Sequence, residues 1–264
     1  MSETSPNNAA LLICRNMHKA FGGVIAVDGM SLEVQPGKIT GLIGPNGAGK
    51  TTLFNLASNV LKADQGSVHL YGEDVTGLKP HKIARMGMIR TFQLSREMTR
   101  LTVLENLMLA PQSQIGENLK SVFFSRKAVR EEEEKTYAQA VEVLKTVNLT
   151  HVSDEYAGNL SGGQKKLLEL ARALMIDPQL ILLDEPAAGV NPSLMGLLMD
   201  TIEKLNQEHD KTFLIVEHDM DLVARLCHHV IVMAEGRHLT EGTFDEVTHN
   251  PQVMEAYLGS AVDA

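Results

Sequence analysis

The stretch "KITGLIGPNGAGKTT", Lys38 to Thr52, decides how this chain is read. An apolar run ends in glycine, a glycine-rich turn follows, and a helix opens behind it. The turn fits G-x-x-x-x-G-K-[ST] with Gly44, Gly49, Lys50 and Thr51. Its glycines let backbone N–H groups crowd around phosphate oxygens. Lys50 brings a point charge to the outer phosphates, and the Thr51 hydroxyl stands where Mg²⁺ is ligated. An ordinary strand-to-helix turn needs one or two special glycines, not this whole pattern between a strand and a helix. The stretch therefore predicts a buried strand, a nucleotide-phosphate loop and an α/β core.

Outward from the loop the chain changes character twice. The first ninety residues read mostly as strands and turns, and "GSVHLYGEDV" alternates and turns like a hairpin. From about Ser95 to Leu160 helical periodicity takes over, with a helix near Arg126–Val147 that carries the charge run "REEEEK" on a solvated face. After Lys165, helices alternate with the apolar strands "QLILLDE" and "TFLIVEH". That alternation argues a mostly parallel sheet flanked by helices. The expected organisation is a leader over 1–10, a nucleotide-binding core from 11–94 and 165–264, and an inserted helical subdomain over 95–164. An antiparallel β part precedes the parallel sheet.

Composition narrows the partners. The 264 residues carry a formal net charge of −9, which speaks against nucleic acid as a main partner. Cys14 and Cys227 show no metal-ligand spacing and read as inert thiols of a reducing compartment. No run approaches 18 apolar residues, and "MSETSPNNAALLIC" lacks the pattern of a signal peptide. The expectation is a soluble intracellular protein whose membrane work, if any, goes through a partner.

Three further stretches carry chemistry. "LILLDEP" ends a buried run in Asp184 and Glu185. A strand covered on both faces has no reason to end in two acids unless its tip reaches a polar site. In phosphate-loop enzymes the first holds Mg²⁺ and the second can take a proton from the attacking water. "FLIVEHDM" repeats the design with Glu217, His218 and Asp219, placing His218 at a strand end, with Asp219 a candidate helix cap. "NLSGGQKKLLELARAL", residues 159–174, sets Ser161, Gly162 and Gly163 before an amphipathic helix running from about Lys165. Two readings fit that start: a serine cap with a glycine turn, or an anion site at a helix N-terminus.

These pieces, with "TFQ" at Thr91–Gln93, resemble in order the ATP-binding subunits of ABC transporters, over about Leu12 to Gly259. The resemblance implies an ABC ATPase fold and two subunits packed head to tail, with Mg²⁺ and ATP as cofactors. "LSGGQ", with Ser161, Gly162, Gly163 and Gln164, would close on the ATP held by the other subunit. Asn46, Gly47, Gly49, Lys50, Thr51 and Thr52 would hold the phosphates, and Phe21 in "KAFGG" would stack on adenine. Thr51, Gln93 and Asp184 would serve the metal. Glu185 would be the general base, with His218, Gln93 and Lys50 as its catalytic company. One position departs: the loop after the glutamate usually ends in aspartate, and "PAAGVN" has Asn191 there.

"DEPAAGVNP" and "NPQVMEAYLG" look like the ATPases of branched-chain amino acid importers. The ATPases of urea or amide importers and of lipopolysaccharide export share much of this pattern. A soluble ABC ATPase acting on ribosomes or nucleic acid would ordinarily carry two cassettes or a long coiled-coil insertion. The implied partners are permease subunits docking near Gln93 and the helical subdomain, a second identical or related ATPase, and, indirectly, a substrate-binding protein. The implied location is the cytoplasmic face of the membrane.

Overall fold

The computed structural model describes residues 10–91, 98–111 and 126–259. Of these, the residues within Met1–Arg90, Gln179–Ala188 and Ile202–Ala264 form one compact unit; those within Thr91–Pro178 and Gly189–Thr201 form a second.

The first unit holds two sheets. The smaller is antiparallel, in the order β2 (Val24–Val34), β1 (Leu12–Phe21), β4 (Gln65–Leu70), β5 (Glu73–Asp74). Leu12 and Cys14 of β1 face the core by simple alternation. A register shift then intervenes, with Asn16 at φ +48°, so that Met17 rather than residue 16 is buried. The second sheet runs β10 (Arg237–Gly242), β9 (His229–Ala234), β3 (Ile39–Ile43), β8 (Thr212–Val216), β7 (Leu180–Asp184), β6 (Met88–Arg90). Its strands are parallel except for the antiparallel edge β10. All five residues of β3 and of β8 are buried, the continuous apolar pattern of a parallel strand covered on both faces.

Helix α1 (Lys50–Ala57) buries Leu53, Phe54, Leu56 and Ala57 in a cluster with Leu12, Leu32, Val68 and Leu214, so both sheets share one core around it. Each of the leucine, valine and phenylalanine side chains contributes about 1.5–3 kcal/mol by leaving water. Helix α2 (Pro80–Arg85) opens on a proline, whose missing N–H costs nothing in a first turn.

The second unit is helical: α3 (Val103–Met108), α4 (Arg126–Thr146), α5 (Gly162–Leu174) and the first part of α6 (Pro192–His209), which continues into the first unit. Thr102 and Glu105 close a reciprocal capping box on α3. The wholly buried Asn106 accepts from Met98 N–H and donates to the carbonyls of Met98, Leu101 and Thr102, so the turn before α3 is tied to the helix itself. An open groove of about 700 Å³ lies against α3 and α4, lined by Met108, Leu109, Arg130 and Tyr137 among others.

The first unit ends with α7 (Met220–Leu226), α8 (Phe244–Thr248) and α9 (Pro251–Gly259). Val253 and Tyr257 of α9 pack on a cluster that includes Ile43, the last residue before the glycine-rich turn.

Candidate active site

β3 delivers the chain to Gly44, and the loop 44–49 carries it into α1. Gly49 is the residue before the helix, at φ +94°, and a Cβ there would stand 2.1 Å from the carbonyl oxygen of Ala26. Only glycine satisfies both demands. Gly47, at φ +78°, faces open space instead. No side chain caps α1, so its first amides point out of the helix end without an intrahelical partner, a ready site for anionic oxygens. Lys50 arches back over the loop and donates to the carbonyls of Gly44 (2.7 Å) and Pro45 (2.9 Å). Burial pulls its pKa below the ordinary lysine value, and the Glu185 carboxylate opposes that shift. Asn46 and Thr51 are exposed and Thr52 half-buried.

The ends of β3, β8 and β7 lie side by side: Leu42 pairs with Val216, and Val216 with Asp184. Asp184 therefore ends its strand level with the phosphate loop. One of its oxygens accepts from Arg90 Nη2 at 2.8 Å. Arg90 ends β6, which pairs with β7. Its side chain is 7 % exposed and that of Asp184 15 %, so this is a largely desolvated pair. Arg90 also donates to Asn55 Oδ1 and to Ser58 Oγ, and lies over the Phe54 ring with its guanidinium carbon 4.6 Å from the centroid. Burial lowers the Arg90 pKa, with Asp184 countering.

Glu185 follows with φ +48°, a conformation rare outside glycine. Its N–H donates to Val216 O at 2.9 Å. Beside it, beyond β8, Glu217 is wholly buried while His218 is exposed. Asp219 accepts from Leu222 N–H and caps α7.

In the second unit Ser161 caps α5: its Oγ accepts from Gln164 N–H, and Gln164 Oε1 accepts from Ser161 N–H. The helix begins at Gly162, three residues before the expected Lys165, because that reciprocal pair lets the two glycines enter its first turn. Gly163 is also a packing residue, since a Cβ there would come within 2.5 Å of Leu194 Cδ1. The Asn191 side chain accepts from Leu194 N–H at 2.9 Å and from the Ser193 hydroxyl at 2.8 Å. Asparagine and aspartate serve such a helix start about equally well, so a carboxylate is not needed for it.

Phe21 ends β1 and is 50 % exposed, with Lys19 Nζ 5.6 Å from its ring centre; it is no core residue. Gln93 lies outside the described residues. The first unit thus brings together Lys50, Asp184, Glu185 and His218 along one end of its parallel sheet. Sequence reasoning missed Arg90 and gave Glu217 no role. An arginine closing the short strand "MIR" was the only signal for the first; a glutamate directly after five buried residues was the signal for the second.

A family model described as ABC transporter matches residues 27–188, and a second, described as branched-chain amino acid ATP-binding cassette transporter, matches residues 237–263. The chain is 42 % identical over 241 residues to the high-affinity branched-chain amino acid transport ATP-binding protein BraF of Pseudomonas aeruginosa, covering 91 % of this chain and 94 % of that one. It is 38 % identical over 251 residues to the LivG protein of Escherichia coli, covering 95 % and 98 %. A crystal structure of the ADP conformation of an ATP-binding cassette of an ABC transporter superposes with a TM-score of 0.81 at 38 % identity, covering 95 % and 99 %. The phosphate loop, the two acids after a buried strand and the capped glycine pair thus stand in a chain that binds and hydrolyses ATP and belongs to the ATP-binding subunits of ABC transporters.

Proposed function

We propose that this chain drives a branched-chain amino acid importer. The observation that carries the reading is the match of residues 237–263 to the branched-chain amino acid family model, beyond the general ABC match. Relatives named for branched-chain amino acid transport, along more than nine-tenths of the chain, support it.

In this reading the loop amides, Asn46, Gly47, Gly49, Lys50, Thr51 and Thr52 hold the phosphates, and Phe21 lies under the adenine. Thr51, Asp184 and Gln93 hold Mg²⁺. A hydroxyl and a carboxylate are the hard oxygen donors this ion takes when it also keeps water and phosphate oxygens, so the residues fit it. The ion supplies charge neutralisation at the phosphates. Glu185 accepts the proton of the attacking water and His218 contacts the terminal phosphate. Positioning and charge stabilisation, not covalent chemistry, do most of this work. Ser161, Gly162, Gly163 and Gln164 face the ATP of the other subunit, whose closure needs contacts made only in the closed state.

As a subunit of an ABC transporter the chain works with permease subunits and a paired ATPase. We assign permease docking to the segment around Gln93 and to the groove at Met108 and Leu109, where Leu109 is 55 % exposed. Through that contact the chain lies at the cytoplasmic face of the membrane. No described helix is long and apolar enough to cross it.

The test is affinity purification of tagged Glu185→Gln from detergent-solubilised membranes in Mg·ATP. Expected companions are polytopic permease subunits and a second ATPase, with an amino-acid-binding protein encoded beside them. Capture of ribosomal or other soluble partners alone would overturn the transport reading and leave the nucleotide chemistry standing.

A further inference from the structure

Glu217 follows directly on β8, and its side chain is fully buried, at 0 % exposure. A carboxylate there loses its hydration and needs hydrogen bonds in return. Three backbone N–H groups provide them. One oxygen accepts from Ala187 at 2.7 Å; the other accepts from His218 at 2.8 Å and from Asp219 at 3.2 Å. The His218 ring nitrogen Nδ1 stands 3.7 Å from that second oxygen.

The two oxygens thus grip two different loops, one carrying Glu185 and the other carrying His218. The first is under strain. Glu185 holds φ +48°, a conformation that persists in a non-glycine residue only where the surroundings over-determine it. Its restraints are its own N–H on Val216 O (2.9 Å), the Ala188 N–H on Glu185 O (3.0 Å), and Ala187 on Glu217. Two of the three come from the end of β8. An acceptor is required at both oxygens of the Glu217 side chain, because the three backbone groups hydrogen-bonded to them are all donors. An ionised carboxylate meets that demand. A glutamine offers one acceptor oxygen and would turn an amide N–H toward another N–H.

We propose that Glu217 is a positioning residue for ATP hydrolysis: its carboxylate clamps the Glu185 loop and His218 into one fixed relation across the ends of β7 and β8. The proposal rests on the roles given above to Glu185 and His218. It holds Glu217 away from the nucleotide and makes it act only through those two neighbours.

The experiment compares steady-state ATP hydrolysis by the full chain, copurified with its membrane partners, with binding of a non-hydrolysable ATP analogue. In Glu217→Gln, kcat is expected to fall by about ten- to a hundredfold, the scale of a misplaced reacting group. KM and analogue affinity should stay within about threefold of the parent, since the phosphate loop and Lys50 are untouched and only the single His218 contact is loosened. Adding Glu217→Gln to His218→Ala should cost less than Glu217→Gln costs in the parent, because the part of its effect that runs through His218 is already lost and only the part through the Glu185 loop remains. A folded Glu217→Gln with parental kcat overturns the proposal, as does a loss carried by KM or losses that multiply in the double variant. If Glu217→Gln does not fold, Glu217→Asp replaces it. That variant keeps the charge but is one methylene too short to reach both loops, and the same kcat-only loss is expected; parental kcat sinks the idea. Glu185→Gln is the control for the underlying reading. If it turns over like the parent, the base assignment fails whatever Glu217 does. If it is inactive while Glu217→Gln is normal, only the clamp fails.

Discussion

Asp184 owes its setting to a partner 94 positions away. The Arg90 guanidinium turns one terminal nitrogen to Asp184 and its second terminal nitrogen to Asn55 and Ser58, with Phe54 beneath its plane. Removing one member of so desolvated a pair leaves the other buried without compensation. Arg90→Met should therefore cost about 3 kcal/mol of stability, read as a lower denaturation midpoint. Arg90→Lys should recover only part of this, since a lysine is a point charge and cannot fork to three acceptors. A midpoint unchanged in Arg90→Met would show that the pair carries no net stability. Lys50, Asp184, Glu185 and His218 were legible in the sequence because each sits in a motif whose neighbours announce it. Arg90 and Glu217 were not, because their partners are supplied by strand pairing and by a loop turning back on itself. Nothing adjacent to either residue in the chain marks such a partner.

The phosphate loop separates two reasons for glycine that a motif cannot distinguish. Gly49→Ala should destabilise the chain by about 3 kcal/mol or more, because a positive φ and a backbone clash add. Gly47→Ala should cost only about 1 kcal/mol, for its φ alone, yet still weaken nucleotide binding by filling open space in the cradle. Thermal melts and nucleotide titrations of the two variants check this, and equal destabilisation would contradict it. Helix α5 teaches the same lesson. The sequence left a cap and an anion site as rival accounts of Ser161. The structure shows a complete capping box with Gln164, and shows Gly163 pressed against Leu194. The amphipathic pattern placed the helix, but its start was misjudged by three residues because glycines lower helix propensity and the reciprocal cap overrides them.

Within one chain the LSGGQ residues and the phosphate loop belong to different compact units, and the site as proposed takes its LSGGQ residues from a second subunit. Ser161→Arg should leave nucleotide affinity of the isolated chain within about threefold of the parent, because in the proposed site the chain binds its own nucleotide through the phosphate loop, Phe21 and His218, not through Ser161. Glu185→Gln should accumulate an ATP-dependent dimer by size-exclusion chromatography with light scattering, and adding Ser161→Arg should abolish that dimer as the single variant abolishes hydrolysis. Loss of nucleotide binding by the Ser161→Arg monomer would refute an assignment to the partner's ATP. The chemistry and the family could be read from short words of sequence, because wrapping backbone amides around phosphate demands particular residues at fixed local spacing. "GPNGAGKTT", "LSGGQ" and "LILLDEP" are such words. The order β3-β8-β7-β6 could not be read, nor could the meeting of Arg90 with Asp184 or of Glu217 with Ala187 and His218. Buried parallel strands of valine, isoleucine and leucine are nearly interchangeable as sequences. Which of them become neighbours, and so which polar ends meet, is settled by packing of the whole core.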